Sequence, residues 1–462
     1  MGFDLNKTLS EYSGQNFSLY SKNINPQLVR VLRSIGFDKQ YTHGVGAYLY
    51  DVDGNKYLDF LSGFGVFALG RSHPAIKKAL HEAIDADLPN LIQLDAALLP
   101  GVTAKTILEQ CHGGLKRVFF TNSGAESVEA AIKFARSATK RSKIIYADHA
   151  FHGLTYGALS ANGGQDFKTG FGPFLPGFTQ VPFNDIDALV KELKTKDAAA
   201  VLLETIQGKG VNIASLEYFT EVARMCKETG ALLIIDEVQT GLGRTGKLWA
   251  HEHYGIMPDI ITVSKALSGG FIPVGAMICS EEISNSVYSS MDRAVVHSST
   301  FKNNQLAMVA ALATLDVIKE DNLVENARLT GLSFEKSLAP LVEKYELLKE
   351  VRGLGLMIGI EFGQGKSLGV RAKFGLLEKA RTGLFSQLIV GPLFSRHKIL
   401  TQVAGDSMNV VKILPPLIIG QEEVDKFTEA LDDVLSIAHK GNRLIFNFST
   451  TLIKGSLKSK NK

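Results

Sequence analysis

The chain has 462 residues, 45% of them apolar and 21% charged, with a formal net charge of +3. That is an ordinary globular balance, in a chain long enough for two or three packed units. Basic residues are scattered except at the extreme C-terminus, so the clustered Lys/Arg face that nucleic acid requires is not expected. Cys111, Cys226 and Cys279 lie far apart and form no CxxC pair. Neither a metal site nor a disulfide framework is therefore expected, and a reducing cytoplasm is the expected location. The polar start MGFDLNKTLSEYSG lacks an apolar leader core, Asn6 stands where a myristoylation signal carries Ser or Thr, and no apolar run approaches the ~18 residues of a membrane span.

In chain order, residues 1–40 predict an arm with one short helix near Pro26–Leu32. AYLYDVDGNKYLDF (47–60) alternates apolar and polar positions around Asp53-Gly54, a hairpin signature. The runs RVFFT (117–121), KIIYA (143–147), AAAVLLE (198–204), ALLIID (231–236) and DIITV (259–263) have few polar breaks and predict buried strands. Helical stretches such as Glu126–Ser137 and Leu216–Thr229 lie between them, the rhythm of an α/β fold with a mostly parallel, open sheet. From about residue 305 a long helical pattern to 345 leads into strand-like LLKEVRG and GLMIGIEF. A helix (371–384), VVKILPPL and a last helix (421–439) follow, which together predict a smaller α+β domain. The apolar stretch LIFNFSTTLI (444–453) precedes the basic end KGSLKSKNK.

Two features carry the chemistry. The strand ALLII delivers Asp236 to its C-terminal end, where open α/β sheets bind ligands, and Glu237-Val238-Gln239-Thr240-Gly241 and Gly243-Arg244-Thr245-Gly246 follow. Lys265, in Ser264-Lys265-Ala266-Leu267, comes 29 residues later, after a second buried strand. A lysine there, flanked by small residues, can condense with an aldehyde cofactor. Asp236 can pair with a protonated ring nitrogen and keep pyridoxal phosphate electron-poor. Either residue alone is as well read as a helix cap or a solvated side chain; the pair is specific.

Thr121-Asn122-Ser123-Gly124-Ala125-Glu126-Ser127 lies between a strand and a helix, where backbone N–H groups can face a phosphate. Locally it reads equally well as a helix N-cap with a capping-box glutamate. Phe151, in Phe151-His152-Gly153, can stack on a cofactor ring, although a core aromatic beside a loop histidine is the plainer reading. His149 and His152 lack nearby carboxylate pairs for a metal. His251-Glu252-His253 places its histidines at i,i+2, off a common helix face, and reads as surface.

In order along the chain these motifs resemble the class III aminotransferases of fold-type I pyridoxal-phosphate enzymes, over about residues 40–440. Tyr57 through Phe67 and Leu175-Pro176-Gly177-Phe178 are most similar to putrescine (diamine) aminotransferases. The resemblance implies a large domain with a mostly parallel seven-stranded sheet (71–310) and a smaller α+β domain (311–440). An N-terminal arm and hairpin (1–70) would pack with the small domain, and 441–462 would form a tail.

It implies pyridoxal phosphate held by Ser123, Gly124 and Ala125, with Thr300 supplied by the second subunit of a homodimer that could pair into tetramers. Phe151 would stack on one ring face beside His152 and Val238 pack on the other, Gln239 would reach the phenolic oxygen, and Glu204 matches the family's strand-end glutamate. Gly70-Arg71-Ser72-His73-Pro74 and Lys302-Asn303 depart from the family pattern. So do Lys209 and Lys412, which stand where many relatives carry a glutamate and an arginine whose ion pair lets one pocket take either an amine or a carboxylate. Two lysines cannot form that pair, and lysine lacks arginine's two-pronged fork. Either Lys412 attracts a keto-acid carboxylate as a point charge, or both heads snorkel to solvent.

The implied reaction is ping-pong transfer of an amino group from a terminal primary amine, such as putrescine or cadaverine, to pyruvate or 2-oxoglutarate. A second reading takes Phe64, Phe67, Leu69 and Phe271 as the lining for long apolar amines or fatty aldehydes, with 444–453 as possible shelter. An aminomutase, or more distantly a decarboxylase, would keep Lys265 but need no external keto acid.

Overall fold

A computed structural model describes residues 2–440 apart from 369–370, 372–373, 376–377, 380–382 and 406–407. Its centre is a seven-stranded sheet of β1 (Leu115–Thr121), β2 (Lys143–Ala147), β3 (Phe178–Val181), β4 (Ala198–Leu203), β5 (Leu232–Asp236), β6 (Ile260–Val263) and β7 (Gly275–Ser280). The order across the sheet is β1-β7-β6-β5-β4-β2-β3. Strands β2 to β6 pair in parallel, and β7 runs antiparallel to both β1 and β6. Every residue of β4 and β6 is buried. Helices cover both faces, which is why these strands read as unbroken apolar runs. Strands β3 and β7 are the two the sequence reading did not anticipate. FTQV is short and half-buried at the sheet edge, and GAMICS opens on small residues, so neither carries a strong β signal.

The arm differs from expectation in forming three helices, Leu5–Glu11, Asn16–Asn23 and Pro26–Ile35, rather than one. The first two bury no residue, so they have no hydrophobic stripe for a periodicity argument to find. The hairpin forms as expected from Tyr48–Asp51 and Lys56–Asp59, joined by a preceding strand Tyr41–Val45. The Asp51 carboxylate pins its turn by accepting from the Asp53 and Asn55 amides at 3.0 and 2.8 Å. Strand Ile399–Leu400 adds in parallel to this hairpin and ties the N-terminal region to the C-terminal one.

The helical pattern over 305–345 is two helices, Gln305–Glu320 and Leu323–Lys344, broken where Asn322 takes the left-handed conformation at φ 50°. Asparagine tolerates that region better than most residues, and periodicity alone does not register one such residue. The smaller sheet has Leu348–Leu354, Met357–Phe362, Val410–Ile413 and Gln402–Val403, in that order, all antiparallel. Helix Gln421–Lys440 packs against Leu323–Lys344 beside it. Half of the helix expected over 371–384, and the whole of the apolar stretch 444–453 and tail 441–462, lie outside the described residues. Among the described residues no helix is long and apolar enough to cross a membrane.

The Gly243–Gly246 motif is where the two sheets' units meet. The Arg244 guanidinium is fully buried and donates to the Leu356 carbonyl at 3.1 Å and to that of Pro415; burial pushes its pKa down to about 9. The Leu356 amide donates back to the Arg244 carbonyl at 2.9 Å. Gly355, at φ 55°, lies so close that a Cβ there would stand 2.4 Å from the Thr245 carbonyl carbon. A left-handed conformation and a backbone contact both require glycine here. Gly355→Ala should therefore destabilise the protein by about 2–5 kcal/mol, the sum of a left-handed alanine and an overpacked contact. A urea unfolding midpoint unchanged from wild type would contradict this.

Candidate active site

Strand β5 ends at Asp236, whose carboxylate is held on every side. One oxygen accepts from the Val238 amide at 3.0 Å and the Thr262 hydroxyl at 3.1 Å. The other lies 2.8 Å from Nδ1 of His152, which is fully buried. Burial opposes a charged imidazole, but the hydrogen bond and charge of Asp236, with Glu204 beyond, outweigh it and raise the His152 pKa above its ordinary value. Its Nε2 is buried with no hydrogen-bond partner among the described residues. Asn162 fixes the loop by accepting from the His152 amide at 2.7 Å and donating to the Gly153 carbonyl at 2.8 Å.

Glu204 follows β4 directly and clamps two segments: it accepts from the Phe151 amide at 3.1 Å and the Gly208 amide at 2.8 Å. Burial raises its pKa, with Asp236 adding to the rise and His152 and the two amides opposing it. Lys265 sits one residue past the turn out of β6, at φ 41°, heading the tight turn Lys265–Ser268. Burial lowers its pKa, although Asp236 and Glu204 pull it back. An amine so placed has a larger uncharged fraction than a solvated lysine, which a nucleophile and proton carrier requires.

At the other side of the cleft, Ser123 caps the helix Gly124–Thr139, its hydroxyl oxygen accepting from the Glu126 amide at 3.2 Å. Glu126 reaches back to the Asn122 amide at 2.8 Å, so the capping box is present. This 16-residue helix directs its N-terminal amides toward the cleft, and a Cβ on Gly124 would stand 2.7 Å from Cγ1 of Val238. The helix end and the residue two past Asp236 are thus in close contact, which only glycine permits. Cap and anion cradle are not alternatives here, since capping uses the Glu126 amide and leaves the first amides of the helix free. A helix N-terminus for a phosphate, a half-buried lysine for an aldehyde and a braced carboxylate for a ring nitrogen fit pyridoxal phosphate.

Lys412 is only 5% exposed, so the snorkelling reading fails for it. Its ammonium donates to the Gly208 carbonyl at 2.5 Å and to Oε1 of Gln239 at 3.2 Å. Gln239 in turn donates to the Phe64 carbonyl at 3.0 Å. Burial, aided by the nearby Lys265, pushes the Lys412 pKa down to about 7, against the pull of Glu204. Lys209 does not reach solvent freely either. Its ammonium lies 3.8 Å from the Asp166 carboxylate, 4.6 Å from the centre of the Phe167 ring and 6.0 Å from that of Phe151. Phe64 is 55% exposed. Phe67 lies under the Arg71 guanidinium at 4.0 Å, and Arg71 is paired with Asp59 at 2.7 Å. Phe271 is partly buried against the core.

Leu69 is a correction: it is wholly buried in the main core and cannot line a pocket. His251 is another, being buried rather than on the surface, with Nδ1 3.0 Å from Oε1 of Glu237. Its spacing excluded a shared helix face, but tertiary packing supplied a carboxylate partner from β5's end. Thr300 is exposed and its carbonyl accepts from Gln93 at 3.3 Å, while Ser299 beside it bonds Asn122 at 2.8 Å. Thr262, Asn162, Asp166 and Phe167 were missed. Thr262 faces Asp236 across the β5–β6 register, so aligning the two strands would have found it. The others have no local signal.

In the cofactor-free protein the Lys412 pKa is lower in the folded than in the unfolded chain, where it is about 10.4. Between about 7 and that value the unfolded state binds more protons, so stability rises with pH there. The cost of the buried ammonium is full below the lower limit and gone above the upper one. Lys412→Met lacks this dependence, so wild type should gain stability relative to the variant when urea unfolding is moved from neutral to alkaline pH. Parallel pH slopes would show that the ammonium is not desolvated.

Three comparisons place this geometry among known proteins. The family model described as aminotransferase class-III matches residues 35–435. The acetylornithine aminotransferase of Caldanaerobacter subterraneus subsp. tengcongensis is 40% identical over 85% of this chain and 93% of its own. The aminotransferase PigE of a Serratia species is 37% identical over 90% of this chain, which spans about half (52%) of PigE's length. Among solved structures, the ornithine aminotransferase of Toxoplasma gondii ME49 superposes with a TM-score of 0.78 at 30% identity, covering 87% of this chain and 92% of that one.

Proposed function

The chain belongs to the class III aminotransferases, which use pyridoxal phosphate, and from that premise we propose that it moves the amino group of a terminal primary amine to a keto acid. The observation that carries this reading is that Lys265 and the braced Asp236–His152 pair emerge at the same carboxyl edge of adjacent strands, where burial lowers the lysine's pKa. The bound cofactor supplies an aldehyde that takes up the amino group and an electron-poor ring that accepts the electron pair left when a C–H bond breaks.

The chain's own residues do the rest. The amides at Gly124 and Ala125, with the Ser123 hydroxyl, hold the phosphate. Asp236 would face the protonated ring nitrogen, and its contact with His152 keeps that carboxylate oriented. Phe151 and Val238 would flank the ring, and Gln239 would reach its phenolic oxygen. Lys265 would hold the aldehyde and, in its uncharged form, move the proton from the amine-bearing carbon. General-base transfer of this kind contributes ~10²–10⁴-fold. Thr300 completes the phosphate site of a second subunit in a homodimer.

Ornithine and acetylornithine, after which two of the relatives are named, each carry a primary amine at the chain end. This favours an ω-amine or diamine donor, with pyruvate or 2-oxoglutarate as acceptor. A second reading, amination of long apolar aldehydes, is favoured by exposed Phe64.

Lys265→Ala should lose both the cofactor's long-wavelength absorbance and all measurable turnover; retained turnover would overturn the mechanism. A panel of putrescine, β-alanine and dodecylamine with each keto acid, read by cofactor absorbance, separates the substrates. Turnover without any keto acid would instead indicate an aminomutase or a decarboxylase.

A further inference from the structure

The two lysines that replace the family's glutamate and arginine do not share one fate. Lys412 is committed: buried, it bonds the Gly208 carbonyl and the Gln239 amide oxygen. These bonds occupy two of its three N–H groups, and the Gln239 side chain it meets is itself held by the Phe64 carbonyl. Lys209 lies on the other side of the same Gly208 peptide and is held loosely. The 3.8 Å to Asp166 is too long for a hydrogen bond, and its other neighbours are the faces of Phe167 and Phe151.

The Lys209 backbone is placed at the site because Glu204 binds the adjacent Gly208 amide with one oxygen and the Phe151 amide with the other. Asp166 is 44% exposed along its side chain, while Lys209 is 12% exposed, so the carboxylate has water to retreat into and the ammonium does not. The Asp166–Phe167 turn is itself anchored. The next residue, Lys168, is 7% exposed and donates to the Tyr146 hydroxyl and the Ser160 carbonyl, each at 3.3 Å. Gly164 leaves room beside the Lys209 ammonium, where a Cβ would stand 3.2 Å away.

We infer that Lys209, not Lys412, holds the carboxylate of the keto-acid substrate, and that Asp166 is its exchangeable partner. With an amine donor in the site, Asp166 neutralises Lys209. When a keto acid enters, its carboxylate displaces that of Asp166, one anion replacing another on the same ammonium, and Asp166 turns to water. The single cleft then accepts an uncharged chain or a carboxylate without a buried, unpaired cation in either state. The inference rests on the aminotransferase reading with a keto-acid acceptor.

The test separates the two half-reactions of the holoenzyme. Lys209→Met should raise the KM for 2-oxoglutarate or pyruvate about tenfold or more, the loss of one charge-assisted contact. The amine half-reaction, followed by cofactor absorbance without keto acid, should stay within about twofold. Lys209→Arg should restore the low KM, and Asp166→Asn should lower it by freeing the ammonium. A keto-acid KM unchanged in Lys209→Met, or raised equally in Asp166→Asn, overturns the inference while leaving the amine half-reaction intact. A wild-type enzyme that turns amine over with no keto acid present overturns the reading beneath it.

Discussion

Asp236, Glu204, His152 and Lys412 are buried, with Lys265 half-buried, within reach of one another's charge, and the rest of the structure is arranged so that they can be. An isolated buried charge costs several kcal/mol, so each must be paired, hydrogen-bonded or shifted in pKa. Asp236 is satisfied by Val238, Thr262 and His152, and Glu204 by the Phe151 and Gly208 amides. The two lysines receive less compensation and respond by losing basicity. For Lys265 that response is the chemical use of the site. Burial lowers the basicity of both, the charge of Lys265 adds to the fall at Lys412, and a less basic Lys265 is better able to carry a proton.

Several elements deliver these groups to one place. Asp236 and Lys265 leave adjacent parallel strands, β5 and β6, at the same carboxyl edge, where the crossing helices leave a crevice. Glu204 leaves β4 beside them, and the helix that begins at Gly124 closes the crevice from the next loop. Lys412 arrives from the smaller sheet, so the geometry of the site depends on how that unit seats against the large one. Arg244 and Gly355 set that seating through backbone contacts 2.9–3.1 Å long and a turn with no room for a side chain. The motif after Asp236 therefore has two tasks: its first residues line the cofactor cleft, and its last four dock the second unit.

Charge at the mouth of the cleft has been rearranged relative to many class III enzymes, and neighbouring residues answer for it. Arg71, in the departing Gly70–Pro74 segment, is paired with Asp59 and covers Phe67. Lys412 makes hydrogen bonds that link the small sheet to Gly208 and, through Gln239, to Phe64. Lys209 has found a new carboxylate in Asp166, on a loop 43 residues earlier in the chain.

Much of this was legible from residue order alone. Five of the seven central strands, the hairpin and the pairing of Asp236 with Lys265 rest on short-range patterns: unbroken apolar runs, a turn signal, and polar residues stranded at the ends of buried segments. Such patterns are local, because a strand covered on both faces must be apolar throughout whatever lies next to it. The two lysines were visible as departures too, but not what they do. Whether an ammonium snorkels or is buried depends on which carbonyls and carboxylates the fold brings beside it, and Gly208, Gln239 and Asp166 come from three separate loops. The same holds for His251, called to the interior by Glu237, and for Leu69, taken out of the pocket by the core. Sequence by itself determined five strands of the sheet and the arrival of Asp236 and Lys265 at strand ends, since each follows from residue type at a position along one strand or turn. Only tertiary structure decided the partners of the buried charges, because desolvation and pairing are properties of the space around a side chain and not of its neighbours in the chain.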